Sequence, residues 1–208
     1  MRSKLQQLTV CALIAVFCSM LCAAADLKSA KRAFQDKDYA KAFKEVTPLA
    51  EQGDPDAQCL LGKMYWAGHG VPKDPDRAVK LFKLSAAQGN SDAQFFLGSW
   101  YLLPHRDVAE GAKWLRLSAE QGNQDAQWLL GKAYLQGDKD LPRDPVQAEL
   151  WLLLAADHNL DFYRAALHAA EMQISPAQVA KGRALAAAWK PKPGLKPDDE
   201  KPKTGEKR

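Results

Sequence analysis

The side chains best equipped for chemistry in this 208-residue chain are one internal cysteine, four histidines, and aromatic and basic residues at repeating intervals. A lone cysteine acts as a nucleophile when a positive neighbour stabilises its thiolate. Cys59 has only Lys63 one helical turn on, and the matching positions of later segments hold Phe95 and Trp128. Cys59 is therefore expected to be a packing or contact position. His69, His105, His158 and His168 form no i, i+4 pair with a matching ligand elsewhere, so a zinc site is unsupported and they are expected on surface or loops. The chain has no glycine-rich phosphate loop, because Gly68-His69-Gly70 falls in a turn between helices, where glycine supplies backbone freedom. These patterns point to no catalytic residue, no cofactor and no metal, and the protein is not expected to be an enzyme.

A second set of residues suits binding. Cys59, Lys63 and Trp66 recur in position as Phe95 and Ser99, and again as Trp128 and Lys132. They lie beside an apolar stripe together with Gln58, Gln94 and Gln127. The column Cys59, Phe95, Trp128 varies while the stripe stays similar. A surface that reads a partner should vary in this manner, with aromatic anchors and lysine charge. The competing reading is that these aromatics fill gaps between adjacent helix pairs. If they face outward, they suit an extended or helical peptide carrying acidic groups.

The elements that must position these residues repeat. Asp56-Ala57-Gln58 returns as Asp92-Ala93-Gln94 and Asp125-Ala126-Gln127, at steps of 36 and 33 residues. Leu61-Gly62, Tyr65 and Gly53 return in the same register. Ala57, Leu60, Leu61, Met64 and Tyr65 follow the i, i+3, i+4, i+7, i+8 spacing of one helix face, over about Asp56 to Trp66. Asp54, Asn90 and Asn123 are N-caps for these first helices. Second helices start at Asp74-Pro75, Asp107-Val108 and Asp144-Pro145, with a capping acid and, in two copies, proline in the first turn. Gly89 and Gly122 end two of them, and Asn159 stands at the later end. The repeated helix-interior glycines Gly62, Gly98 and Gly131 each weaken a helix by about 1 kcal/mol relative to alanine, which implies close approach of a neighbouring helix. Upstream, Asp38–Gln52 reads as another second helix with a kink or break at Pro48. Downstream, Leu160–Gln173 reads as helix, and Ser175-Pro176 caps a last helix to about Trp189.

Ala57-x3-Leu61-Gly62-x2-Tyr65-x2-Gly68-x-Gly70-Val71-x2-Asp74-x3-Ala78, followed by Ala86-Ala87-Gln88-Gly89, resembles the Sel-one-like repeat (SLR), a relative of the tetratricopeptide repeat. Ser175–Ala180 with Arg183-Ala184-Leu185 resembles the closing helix of bacterial SLR proteins. The resemblance covers roughly Asp38 to Trp189. It implies an all-α fold, an α-solenoid of stacked antiparallel helix pairs whose first helices line a concave face. It also implies a scaffold that binds a protein or peptide. The middle copy departs from the pattern at Leu102–Arg106, where the loop glycines are missing, and the third copy has a longer loop through Asp140. The paired cysteines of family members linked to β-lactam-like compounds are absent.

The ends differ from the body. Arg2 and Lys4, the apolar run Leu8–Leu21 and Ala23-Ala24-Ala25 read as a signal peptide over residues 1–25, cut before Asp26. An uncleaved membrane anchor is the alternative. Residues 26–189 form the solenoid. The tail 190–208 is rich in lysine and proline and is expected to be disordered. Its Lys190, Lys192, Lys196, Lys201, Lys203, Lys207 and Arg208 offer weak contact with membrane or an anionic polymer, diluted by four acids. The net charge of +4 resides at the two ends, the body is near neutral, and no nucleic-acid partner is expected. The functional expectation is an exported scaffold or adaptor of the bacterial cell envelope, with a binder or modifier of cell-wall glycan or peptide components as the alternative.

Overall fold

A computed structural model describes residues 27–103, 107–157 and 161–200. The expected signal peptide, His105 and His158 lie outside the described residues. Those residues are helical throughout, with no strand, and sequence-adjacent helices pack in antiparallel pairs. The helices are α1 (27–35), α2 (Tyr39–Glu51), α3 (Pro55–Ala67), α4 (Pro75–Ala87) and α5 (Ser91–Tyr101). There follow α6 (Val108–Glu120), α7 (Gln124–Gln136), α8 (Pro145–Ala156), α9 (Asp161–Glu171) and α10 (Pro176–Ala188). The chain divides into two compact units, residues 1–81 and 82–208.

One turn design recurs at three handovers from a second helix to the next first helix. After α2, the Asp54 N–H reaches Leu49 O and the Gly53 N–H reaches Ala50 O, with Gly53 at φ +92°. The same pair of bonds joins Asn90 to Ser85 and Gly89 to Ala86, and again Asn123 to Ser118 and Gly122 to Ala119. This is the double closure of a helix C-terminus that needs a left-handed residue, and glycine adopts it without a Cβ clash. The next residue then caps the following helix, since Asp54, Asn90 and Asn123 accept from the N–H groups of Ala57, Ala93 and Ala126 at 2.8–2.9 Å. Gln58, Gln94 and Gln127 complete the unit. Each donates its side-chain amide back to the carbonyl of Ala50, Ala86 or Ala119, at 3.3, 3.2 and 3.1 Å. These glutamines are buried, so they lock the turn and do not flank an open groove as the sequence suggests.

In the unit of residues 1–81, α1 to α3 and the first turns of α4 bury Ala30, Val46, Leu49, Leu61 and Met64. Helix α1, which carries no repeat motif and is not anticipated from the sequence, is tied to α3 by Lys31–Asp56 at 2.6 Å. Helix α2 runs through Pro48 without a break. Pro48 stands in the last turn, so a single helical N–H is lost where the helix is about to end. His69, expected on the surface, is half-buried and stacks on Tyr39 with ring centroids 4.4 Å apart. The turn holding it passes so close that a Cβ on Gly70 would come 2.8 Å from that of Tyr39.

In the unit of residues 82–208, α5 packs on α6, α7 on α8, and α8 on both α9 and α10. Close approach explains two of the helix-interior glycines. A Cβ on Gly98 would lie 2.7 Å from Leu115 Cγ, and one on Gly131 would lie 2.7 Å from Leu152 Cγ. In the loop after α7 the Asp138 N–H reaches Leu141 O at 2.7 Å, and Leu141 turns into the core. Ser175 and Gln178 form a reciprocal capping box at the start of α10. The tail, expected to be disordered, has a described path as far as residue 200. Lys190–Lys196 lies along α6 and the turns at Gly89 and Gly122, and a 3-10 turn follows at Pro197–Glu200. Residues 201–208, with the other tail cations, lie outside the described residues.

Replacing Gly131 by alanine forces Leu152 out of place, and overpacking of this kind costs about 1–3 kcal/mol. Gly131→Ala should lower the urea midpoint of unfolding while leaving the far-UV circular dichroism of the native state unchanged.

Candidate functional site

The residues singled out for binding come from α3, α5 and α7, held in register by the N-caps of those helices. On α3, Cys59 is 3% exposed and packs inward, while Lys63 and Trp66 are half-buried. On α5, Phe95 is half-buried, meets Phe96 edge-on at 5.3 Å and packs on the core of the second unit. Ser99 turns its hydroxyl back to Phe95 O at 2.8 Å. On α7, Trp128 is flanked by Phe162 and Tyr163 of α9, with centroids at 4.9 and 6.4 Å. Lys132 places its ammonium 4.6 Å from the centre of the Trp128 ring. The aromatic column thus packs between helices along much of its surface. The part that reaches solvent is the edge formed by Phe162, which is 59% exposed, with Trp128 and Lys132 beside it.

Lys132 also lines a cavity of about 240 Å³ with Leu102, Val108, Leu129, Ala133, Gln136 and Asp138. Its walls combine apolar side chains with one ammonium and one carboxylate, so the slot suits an aliphatic or aromatic side chain.

Three polar groupings escape sequence reasoning. Glu149 of α8 is fully buried beneath α10, where a Cβ on Gly182 would come 2.5 Å from its own Cβ. Arg183 bridges Glu149 at 3.4 Å and Glu171 at 2.5 Å. Burial first, and then the Glu171 charge, push the Glu149 carboxyl above its usual range, and Arg183 offsets this only in part. Tyr163 donates to Asp125 at 2.5 Å, and burial with that bond pushes its phenol up to about 12. The third grouping is the tail contact, in which Gln94, Glu120 and Gln121 hold Lys192–Leu195. A buried glutamate and a lysine-rich tail look alike in sequence to a solvated helix face and a free end, so neither announces itself. Among the described residues, no group of three His, Cys, Asp or Glu is placed to hold a metal ion.

Residues 55–90, 91–123 and 124–160 each match the Sel1 repeat. The chain belongs to the Sel1 repeat family. Sel1 repeats are generally protein-interaction scaffolds, and the fold is typically non-catalytic. The crystal structure of a protective antigen from uropathogenic Escherichia coli strains, which displays an SLR fold, is similar with a TM-score of 0.68 and 28% identity. That match covers 80% of this chain and 38% of the antigen, so the chain spans well under half of the antigen's length. A Sel1 repeat protein from Oxalobacter formigenes is similar with a TM-score of 0.64 and 25% identity, covering 78% of this chain and 70% of that one. No match was found among curated proteins. The three matched segments coincide with the turn design described above, so the Sel1 periodicity is the periodicity of the glycine, cap and glutamine unit.

The buried glutamate gives this Sel1 chain a defined acid dependence. A carboxyl with a raised folded-state pKa is more protonated in the folded chain, so its contribution to stability is present below the ordinary glutamate pKa. That contribution is lost as pH rises through the folded value. As pH rises from the ordinary glutamate range upward, urea denaturation of the wild type should show this loss, and Glu149→Gln should flatten it.

Proposed function

We propose that this Sel1 repeat chain is an exported scaffold of the bacterial cell envelope that binds a protein partner through its first-helix face. The observation that carries the reading is the solvent edge of α7 and α9, where Lys132 stands over Trp128 and the exposed Phe162 lies against the same ring. An aromatic pair with an adjacent ammonium anchors a peptide bearing an apolar and an acidic side chain. Lys63 and Trp66 on α3 and Ser99 on α5 belong to the same repeat columns as Trp128 and Lys132. Cys59 contributes packing.

Export rests on the first twenty-five residues, with their basic start, apolar run and Ala23-Ala24-Ala25. The mature chain begins at Asp26 in this reading. The glycan-binding alternative calls for an exposed row of tryptophans. All six tryptophans, among them Trp66, Trp100, Trp114 and Trp151, are buried or half-buried, which favours the protein partner.

A photo-reactive residue at position 136, one helical turn from Lys132 and exposed, should crosslink the full-length protein, expressed in a Gram-negative cell, to one major envelope protein. Phe162→Ser should reduce that adduct severalfold with helicity unchanged, because Phe162 is largely exposed. An undiminished adduct in Phe162→Ser would remove the α7–α9 edge as the docking surface. Recovery of the unprocessed chain in the cytosolic fraction would remove the export reading.

A further inference from the structure

After α10 the chain doubles back across the second unit. Pro191 comes to lie over Gly122, where an added Cβ would sit 3.7 Å from the proline ring. The Lys192 N–H donates to Glu120 O at 2.8 Å, and the Lys192 ammonium meets the Glu120 carboxylate at 2.6 Å. The Gly194 N–H donates to Gln121 Oε1 at 2.7 Å, and Leu195 O accepts from Gln94 Nε2 at 2.7 Å. The Gly194 carbonyl lies 2.9 Å from where a Cβ of Gly89 would be.

The two glutamines form one device. Gln121 Nε2 donates to Gln94 Oε1 at 2.7 Å and to Gly89 O at 3.1 Å, while Gln94 Nε2 donates to Ala86 O. Both side-chain amides are thereby fixed on the turn at Gly89. What each has left, one acceptor on Gln121 and one N–H on Gln94, is aimed at a main-chain N–H and C=O of a passing segment. Recognition of this kind reads an extended backbone whatever its side chains are. Selectivity then comes from three contacts: the Glu120 carboxylate asks for a basic residue, the bare Gly122 accepts a proline ring, and the bare Gly89 admits a carbonyl.

We propose that this row, Gly89, Gln94, Glu120, Gln121 and Gly122, is a docking site for an extended, proline-punctuated basic peptide segment of a partner protein, and that the chain's own tail is its resident competitor. The Lys192 side chain is 62% exposed, so its ion pair lies at the surface. Surface ion pairs and a few main-chain bonds hold such a strap weakly enough for exchange. A tethered segment reduces the affinity of a free peptide in proportion to the fraction of time the site is covered. This inference does not depend on the Phe162 edge, and the failure of either leaves the other in place.

The test uses the full chain and a fluorescent synthetic peptide with the sequence Trp189–Lys196. Lys192→Glu with Gly194→Ala releases the tail: the first reverses the ion pair, and the second strains a residue at φ +77° that has open space around it. By fluorescence polarisation the released chain should bind the peptide about tenfold more tightly than the wild type does. Adding Gln121→Ala to the released chain should abolish that binding, and a peptide with glutamate in place of its second lysine should bind at least several times more weakly. Equal binding by wild type and released chain, or no binding by a released chain of normal helicity, would overturn the proposal. A released chain that loses its helicity would also overturn it, because the tail would then be a structural staple.

Discussion

The rest of the fold depends on the closed turn between one helix pair and the next. Its glycine, its cap and its glutamine satisfy backbone groups that helix ends otherwise leave unpaired. The carbonyls of Ala50, Ala86 and Ala119 each accept twice, once from the glycine N–H and once from the glutamine. That double use is open to a carbonyl, which has two lone pairs. It fixes where each first helix starts, and the start fixes which residues of α3, α5 and α7 face inward. The glycine-to-leucine contacts then set how closely paired helices approach.

The repeat, the helix starts and the inward stripe were legible in the sequence because each has a local cause: a capping acid, a proline at the first turn, a 3.6-residue period. Pro48 misleads for the same reason, since the local rule ignores that the helix ends one turn later. Helix α1 has no repeat motif to announce it, and its tie to α3 through Lys31 and Asp56 spans 25 residues. The glutamine column was visible but read as surface, because a buried amide is betrayed only by its hydrogen-bond partners eight residues upstream. Lys190–Lys196 has the composition of a disordered tail. Its order comes from residues 72 to 101 positions away, which no local pattern can report.

The candidate surface on α7 shows how packing and exposure share one aromatic cluster. Trp128 and Tyr163 face the interior of the second unit, whereas Phe162 faces solvent from the same helix as Tyr163. The buried rings make the exposed one stiff, and a stiff ring gives up little entropy on binding. The opposite end of the unit serves stability, with Gly182 letting α10 press onto Glu149 and Arg183 spanning two carboxylates.

The register of the tail follows from the same amides. Gln94 Oε1 is met by Gln121, the residue just before the turn glycine of the next repeat. One repeat later the residue in register with Gln121 is His158, which has no side-chain amide to offer. Gln127 Oε1 is buried with no hydrogen-bond partner among the described residues. The paired amides therefore belong to the Gln94–Gln121 handover, and the strap lies where one amide presents an acceptor and the other an N–H to a passing main chain.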